Sequence, residues 1–407
     1  MTSSEKTNTS KEIESDSNKL ENILDNSKPS TWITYGGNVL WVPVIALTGF
    51  GILFVYSASS VYSAQHYGTE FYFAKKQAFF LLPSLLAAFA GAMIPFELYY
   101  KFIKYLFFIL VTMTFATHLP GIGRKVYGAS RWLNLGIMPI QPSEFLRVFS
   151  IIYMVWIISK QENINNKYIE SKKYPPLIEY GCLLLAPIAI IAQKDLGTTV
   201  VVVTGCLGVL FMNGLPKRYF AGIFGILIFG LISAILFEPY RIARVMTFLN
   251  PFKDPLGSGF QVIQSFVAVA NGGLFGRGIG ESQQKLFFLP EAHTDFILAV
   301  ITEEMGFIGI LVLAILYSVL YYAILRLVIY GSTHRDRLLA TGAFSMLVIT
   351  TIINMGVVAG ALPTKGLPLP FISNGGSALI ANYFIIGLMS QISRRIYLQN
   401  NQLKKAI

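Results

Sequence analysis

Along most of the chain, apolar residues run in blocks of about 20 separated by short polar links. That is the length a helix needs to cross a hydrocarbon core of about 30 Å. Ten such spans can be drawn, at about 39–58, 77–96, 102–119, 143–159, 176–193, 197–214, 219–237, 305–329, 338–361 and 375–393. None carries a central charge cluster, and most end in Tyr, Trp, Lys or Arg, the residues that anchor helices at the interface. The pattern predicts an all-α polytopic membrane protein of about ten transmembrane helices. Two connections stand out. One covers about 119–142, between spans three and four. The other, about 238–304 between spans seven and eight, far exceeds the few residues most helix connections use and is expected to form a large extracellular loop. Residues 1–38 are polar and rich in Ser, Asn, Lys and Glu, which reads as a disordered cytoplasmic tail rather than a signal peptide. The membrane domain is then expected over 39–396, with a second cytoplasmic tail over 397–407.

Composition narrows the choice. Hydrophobic types make up 54% of the 407 residues and charged types 13%, about half the roughly 25% of a soluble domain. A soluble enzyme, a disordered scaffold and a β-barrel porin are poor readings. The net charge of +11 would hint at nucleic acid in a soluble chain. Here it reflects loops that hold orientation and meet anionic lipid, and no nucleic-acid partner is expected. With the N-terminus in the cytoplasm, the tails and the loops near 101, 160–173, 217, 326–337 and 394–405 hold a majority of the 32 basic residues, so both termini are expected inside. Cys182 and Cys206 lie in apolar runs and give neither a disulfide framework nor a metal pattern.

The chemistry gathers on the outer side. The glycines at 272, 273, 276, 278 and 280 follow no strand, so tight turns in a re-entrant loop explain them better than a nucleotide loop. Asp295 lies at the edge of the eighth span, as a helix N-cap or as a functional group. Glu291, His293 and Thr294 precede it and Lys285 lies upstream, a density of polar groups that implies a wet, protein-lined site. Glu144 and Arg147 share a helix face at spacing i, i+3, as an ion pair or as part of a site. Asp195, in a short link between two apolar spans, reads as a helix cap or a functional group, and Trp132 as a belt tryptophan or a site residue. Glu303 and Glu304, about two turns after Asp295, either satisfy backbone or each other or belong to the site. Lys365 lies in a segment whose prolines and glycines resist a continuous helix and favour a folded-in loop. Arg131, Arg147, Lys194, Arg241, Arg244, Arg277, Lys285 and Lys365 are outer cations that work against the orientation rule. A pyrophosphate-bearing lipid would account for them, through charge-assisted bonds to phosphate oxygens, with a neighbouring carboxylate as general base. The chain has no His/Glu/His metal signature and no G-x-S-x-G elbow.

Eight blocks carry a family resemblance: VYSAS (55–59), GASRW (128–132), QPSEF (141–145), DLGTT (195–199), FLNPFKDPLGSGFQ (248–261), QSFVAVANGGLFGRGIGESQQK (264–285), LPEAHTDFI (289–297) and LPLPFISNGGS (367–377). In content and order they resemble the signature blocks of the SEDS proteins (shape, elongation, division and sporulation), across nearly all of the chain after the tail. The LPTKGLPLP segment and the polar tail are more similar to the division branch than to the elongation branch, with a sporulation relative close by. The resemblance implies a ten-span fold and a peptidoglycan glycosyltransferase that polymerises lipid II into glycan strands outside the bacterial cytoplasmic membrane, at the division septum. It implies a class B penicillin-binding protein as transpeptidase partner, besides other divisome membrane proteins and the nascent glycan strand. The family's essential aspartate falls on Asp295. Its tryptophan falls on Trp132, its charged pair on Glu144 and Arg147, and its cavity aspartate on Asp195. Arg131, Arg241, Arg244, Lys285, Glu291, His293, Lys365 and Ser377 complete the candidate substrate-binding set. A divalent cation, Mg or Mn, is a candidate cofactor, with no nucleotide or organic cofactor expected. The sequence departs from the family at Arg147, where Lys is usual, at Lys194, where Pro is common, and at Asn374, where Tyr precedes Gly-Gly-Ser. A lipid II flippase and a non-catalytic scaffold are the competing functions. The concentration of chemistry on the outer face, with short plain inner loops, favours the enzyme.

Overall fold

A computed structural model describes residues 36–126, 129–134, 136, 138–167, 177–286 and 289–406. The expected N-terminal tail therefore lies almost wholly outside the described residues. Each of the ten expected spans falls on helix. They are α1 (Gly36–Tyr67), α2 (Tyr72–Met93), α3 (Phe96–Ala116), α4 (Pro142–Lys167), the pair α5 (Leu177–Leu183) and α6 (Leu185–Ala192), α7 (Leu196–Met212), α8 (Lys217–Leu236), α11 (Ile297–Tyr330), α12 (His334–Val358) and α13 (Gly376–Ala406). The intervening α9 (Pro239–Leu249) and α10 (Phe260–Gly272) belong to the long connection between α8 and α11. Among the described residues, seven helices are long and apolar enough to cross a membrane, and two shorter apolar segments cover 178–192 and 196–212. The fifth span breaks at Leu184 because Pro187 has no N–H to offer the Leu183 carbonyl four residues back.

The helices turn apolar faces both inward and outward. On α2, Leu82, Leu86, Phe89 and Met93 recur at helical spacing and are exposed, while Phe80, Ser84, Ala88 and Gly91 of the same helix are buried. An exposed apolar stripe backed by a small-residue stripe is the pattern of a helix between lipid and protein. The small stripe lets backbones touch: a Cβ on Gly91 would meet the Phe384 carbonyl at 2.7 Å, and one on Gly387 of α13 the Ala88 carbonyl at 2.1 Å.

Two features of the connections frame the site. The 119–142 connection folds into a small antiparallel sheet of β1 (Gly123–Val126), β2 (Ala129–Asn134) and β3 (Pro139–Ile140). Within it Trp132 pairs with Arg124 and Ser130 with Lys125, so Arg131 is the extra residue of a bulge. A bulge re-aims the side chain it carries. Thr117 anchors the sheet by donating to the Ser130 carbonyl, and Gln193 ties Thr117 to the end of α6. The second feature is a re-entrant hairpin after α10. Helix α11 is kinked at Gly306 (φ 65°), and the hairpin backbone enters the break. Arg277 N and Gly278 N donate to the Glu303 and Glu304 carbonyls, and Phe307 N donates to Gly273 O. A Cβ on Gly276 would sit 2.1 Å from the Glu304 carbonyl oxygen, so the glycine run is a close-approach device, as the re-entrant reading expects.

Candidate functional site

Asp295 lies in a turn that ends where α11 begins. Thr294 N and Phe296 N both donate to the Glu291 carbonyl, and Glu291 takes a left-handed conformation (φ 57°) to allow it. The cap reading of Asp295 does not hold: Phe296 is the N-cap residue of α11 and offers no side-chain bond. Its carboxylate is left for other work. Gly366 marks what lies beside it, because a Cβ there would meet Asp295 Oδ2 and Arg131 Nη1, each at 3.3 Å.

Four chain segments converge on this point. The β2 bulge supplies Arg131, whose Nη2 donates to Lys194 O at 2.9 Å and whose Nε lies 3.7 Å from Asp195 Oδ2. The α6–α7 link supplies Asp195, which accepts from Thr198 N and Thr198 Oγ1 at 3.1 Å. Asp195 is thus a helix cap and a partner of Arg131 at once. Helix α9 supplies Arg241 and Arg244, and Arg244 Nη1 donates to Thr364 O at 2.8 Å. The folded-in loop after α12 supplies Lys365, with Leu367 seated against Gly197 at the start of α7.

Mutual fields perturb the central groups. Loss of water pushes the Asp295 carboxyl up to about 7, and the Glu291 and Asp195 charges add to the rise while Arg131 and Arg244 oppose it. Lys365 is lowered to about 8, first by burial and then by Arg244, Arg241 and Arg131, with Asp195 acting the other way. His293 is lowered by burial against the opposing Glu291 charge, and it packs on Phe73 and Tyr62. A carboxyl titrating near neutrality inside a ring of cations can take a proton from a hydroxyl while the cations receive an anionic leaving group.

Other candidates lie elsewhere. Glu144 and Arg147 face each other at 2.9 Å, and Arg147 Nη2 donates to Asn382 Oδ1 at 2.6 Å, all buried where α4 meets α13. Lys285 sits with Ser57 and Glu304, and Glu303 accepts from Ser282 Oγ and Gln284 N. Satisfying backbone and side chains in the hairpin is what these two glutamates do. Ser377, at the start of α13, accepts from Gln141 N and joins α13 to the entry of α4. Trp132 is half-buried beside the Arg131 bulge. The Asn374 backbone N–H donates to His293 O, so this departure from the family pattern retains a link to the Asp295 turn. Sequence reasoning missed Asn354 and Asn382. The available signal was an amide inside an apolar helix, which at that depth must find a partner.

The family profile of cell cycle proteins FtsW, RodA and SpoVE matches residues 38–398. A probable peptidoglycan glycosyltransferase FtsW of Trichlorobacter lovleyi is 38% identical over 87% of this chain and 92% of its own length. Stage V sporulation protein E of Bacillus subtilis is 37% identical over 88% of this chain and 96% of its own. Among solved structures, a peptidoglycan synthase complex that coordinates polymerization and crosslinking contains a chain with TM-score 0.67 and 28% identity, covering 88% of this chain and 97% of that one. The rod shape determining protein RodA of Thermus thermophilus, 24% identical with TM-score 0.61 over 88% of this chain and 96% of its own, shares the fold. The chain belongs to the FtsW, RodA and SpoVE family of cell cycle proteins.

Proposed function

We propose that this chain is a peptidoglycan glycosyltransferase that joins lipid II units into glycan strands at the outer face of the cytoplasmic membrane. The observation that carries the reading is Asp295, raised to about 7 and set beside Arg131 at Gly366. Asp295 takes the proton of the acceptor GlcNAc 4-hydroxyl. The freed oxygen bonds to the anomeric carbon of the donor MurNAc, and the bond to the undecaprenyl pyrophosphate oxygen breaks. Configuration inverts in one displacement, so one carboxylate suffices. Arg131, Arg241, Arg244 and Lys365 receive the pyrophosphate charge that develops. A Mg or Mn ion would help neutralise that charge. Among the described residues no group of three His, Cys, Asp or Glu is placed to hold such an ion.

A crosslinking partner fits a chain whose structural neighbour works in a complex of polymerization and crosslinking. We assign that role to a class B penicillin-binding protein, with other divisome membrane proteins around it. Ten crossings with both termini cytoplasmic, and a place at the division septum, complete the proposal. The test supplies purified protein in vesicles with lipid II, and measures glycan polymer on a gel and transbilayer movement of the lipid in parallel. Polymer without lipid movement supports the transferase. Movement without polymer replaces it with the flippase.

A further inference from the structure

We propose that Asn354, in α12, is a positioning residue for the transfer: its amide holds the segment that carries Asp295 against the loop that carries Lys365. The inference rests on the glycosyltransferase reading above. Asn354 Nδ2 donates to Asp295 O at 3.0 Å and to Leu367 O at 2.8 Å. Both partners are carbonyls, which only accept, so the orientation of the amide follows from its surroundings. The side chain is 2% exposed, and its Oδ1 is buried without a partner among the described residues. A stranded buried acceptor is unfavourable, so an amide at this depth is accounted for by its two donors. Leu would fit the same space and remove the stranded acceptor, but it would take the donor from the half-buried Asp295 carbonyl and the buried Leu367 carbonyl.

The clamp supplies something the local structure does not. The bonds from Thr294 N and Phe296 N to Glu291 O close the Asp295 turn on itself. They do not fix its distance from cations that come from β2, α9 and the Lys365 loop. On the other side, Arg244 holds Thr364 O and Leu367 rests on Gly197, which fixes the loop to α9 and α7. Asn354 joins these two assemblies through one side-chain nitrogen. An in-line displacement needs the base at the acceptor hydroxyl and the cations at the leaving oxygen at the same time. A shift of about 1 Å in such an arrangement can cost about 100-fold in rate. Substrate binding can survive the same shift, because the cations still meet the pyrophosphate.

The experiment compares purified full-length wild type, Asn354→Leu, Asn354→Asp and Asn354→Gln with Asp295→Ala as the inactive control. Lipid II is the probe, and kcat and KM are determined on material shown to be folded by gel filtration and thermal unfolding. Asn354→Leu lacks both donors and Asn354→Asp keeps at most one, the O–H of its protonated form, so both break the two-carbonyl clamp and should lower kcat by about 10- to 100-fold with KM within threefold. Asn354→Gln retains both donors on a longer arm and should recover part of that loss. If Asn354→Leu is too unstable to purify, Asn354→Asp, which matches asparagine in shape, carries the comparison. Folded Asn354→Leu or Asn354→Asp within twofold of wild type in kcat would overturn the inference alone, as would a loss confined to KM. A wild type that makes no polymer would overturn the underlying reading and this one with it.

Discussion

Replacing Arg147 with Met should be among the most destabilising single changes in the chain. Arg147 Nη2 lies 2.9 Å from Glu144 Oε2, and the two side chains are only 3% and 4% exposed. The guanidinium also donates to Asn382 Oδ1 at 2.6 Å and to the Glu144 carbonyl at 3.3 Å. Met fills much of the space and supplies no donor, so Glu144 would be left buried without its partner. Removing one member of such a pair costs about 3–5 kcal/mol, and each 1.4 kcal/mol is about a tenfold change in the folded-to-unfolded ratio. Glu144→Gln should cost a similar amount by stranding the cation. The double variant removes both charges and leaves mainly the Asn382 acceptor unsatisfied, about 1–3 kcal/mol. It should therefore be more stable than the sum of the singles by at least about 2 kcal/mol. Arg147→Lys, the residue usual in the family, keeps the charge but loses the planar fork, and should fall between wild type and Met. The assay is denaturant unfolding in detergent micelles followed by tryptophan fluorescence. Single variants within about 1 kcal/mol of wild type, or strictly additive effects, would refute the argument. So would unchanged stability with a large rise in KM, which is the signature of a pair that serves substrate.

Three further outcomes follow from the geometry. With Asp295 raised to about 7 and Lys365 lowered to about 8, kcat/KM should be bell-shaped between those values, and Lys365→Arg should remove the alkaline limb while keeping the acid one. The same raised carboxyl makes the folded chain hold a proton that the unfolded chain releases between about 4 and 7, so stability falls as pH rises through that window. Asp295→Asn should flatten this slope and be more stable than wild type at pH 8 by unfolding. Gly276→Ala drives a Cβ to 2.1 Å from the Glu304 carbonyl at φ +76° and should abolish folded protein. Gly278→Ala, with only Glu281 Cγ at 3.6 Å, should be tolerated with a loss of about 1–2 kcal/mol in the same unfolding assay.

The helices were legible because lipid demands long apolar runs, and no soluble architecture tolerates so many. Boundaries were not. Helix α11 starts at Ile297, ahead of the expected 305, because Glu303 and Glu304 break the apolar pattern yet stay helical by pairing with the hairpin. The sheet that bears Arg131 was invisible, since its register depends on a one-residue bulge and on bonds to Thr117. Asp295, Arg131, Arg244, Asp195 and Lys365 were named from residue type, and the structure brings them together. Lys285 and the Glu144–Arg147 pair were named on the same grounds and lie in other networks. Charge at membrane depth signals a partner, and whether that partner is substrate or protein is decided by chain segments far apart in sequence.

The central claim is that Asp295 is the base. The direct measurement is glycan polymerisation from lipid II by wild type and Asp295→Asn side by side at pH 8, in the presence of the class B partner. Both proteins must be folded, and lipid II binding to each is measured separately. Asn keeps the shape of the side chain and cannot take the proton. Wild type should make polymer, Asp295→Asn none, and both should bind lipid II comparably. Polymer from Asp295→Asn at a rate near that of wild type would contradict the claim.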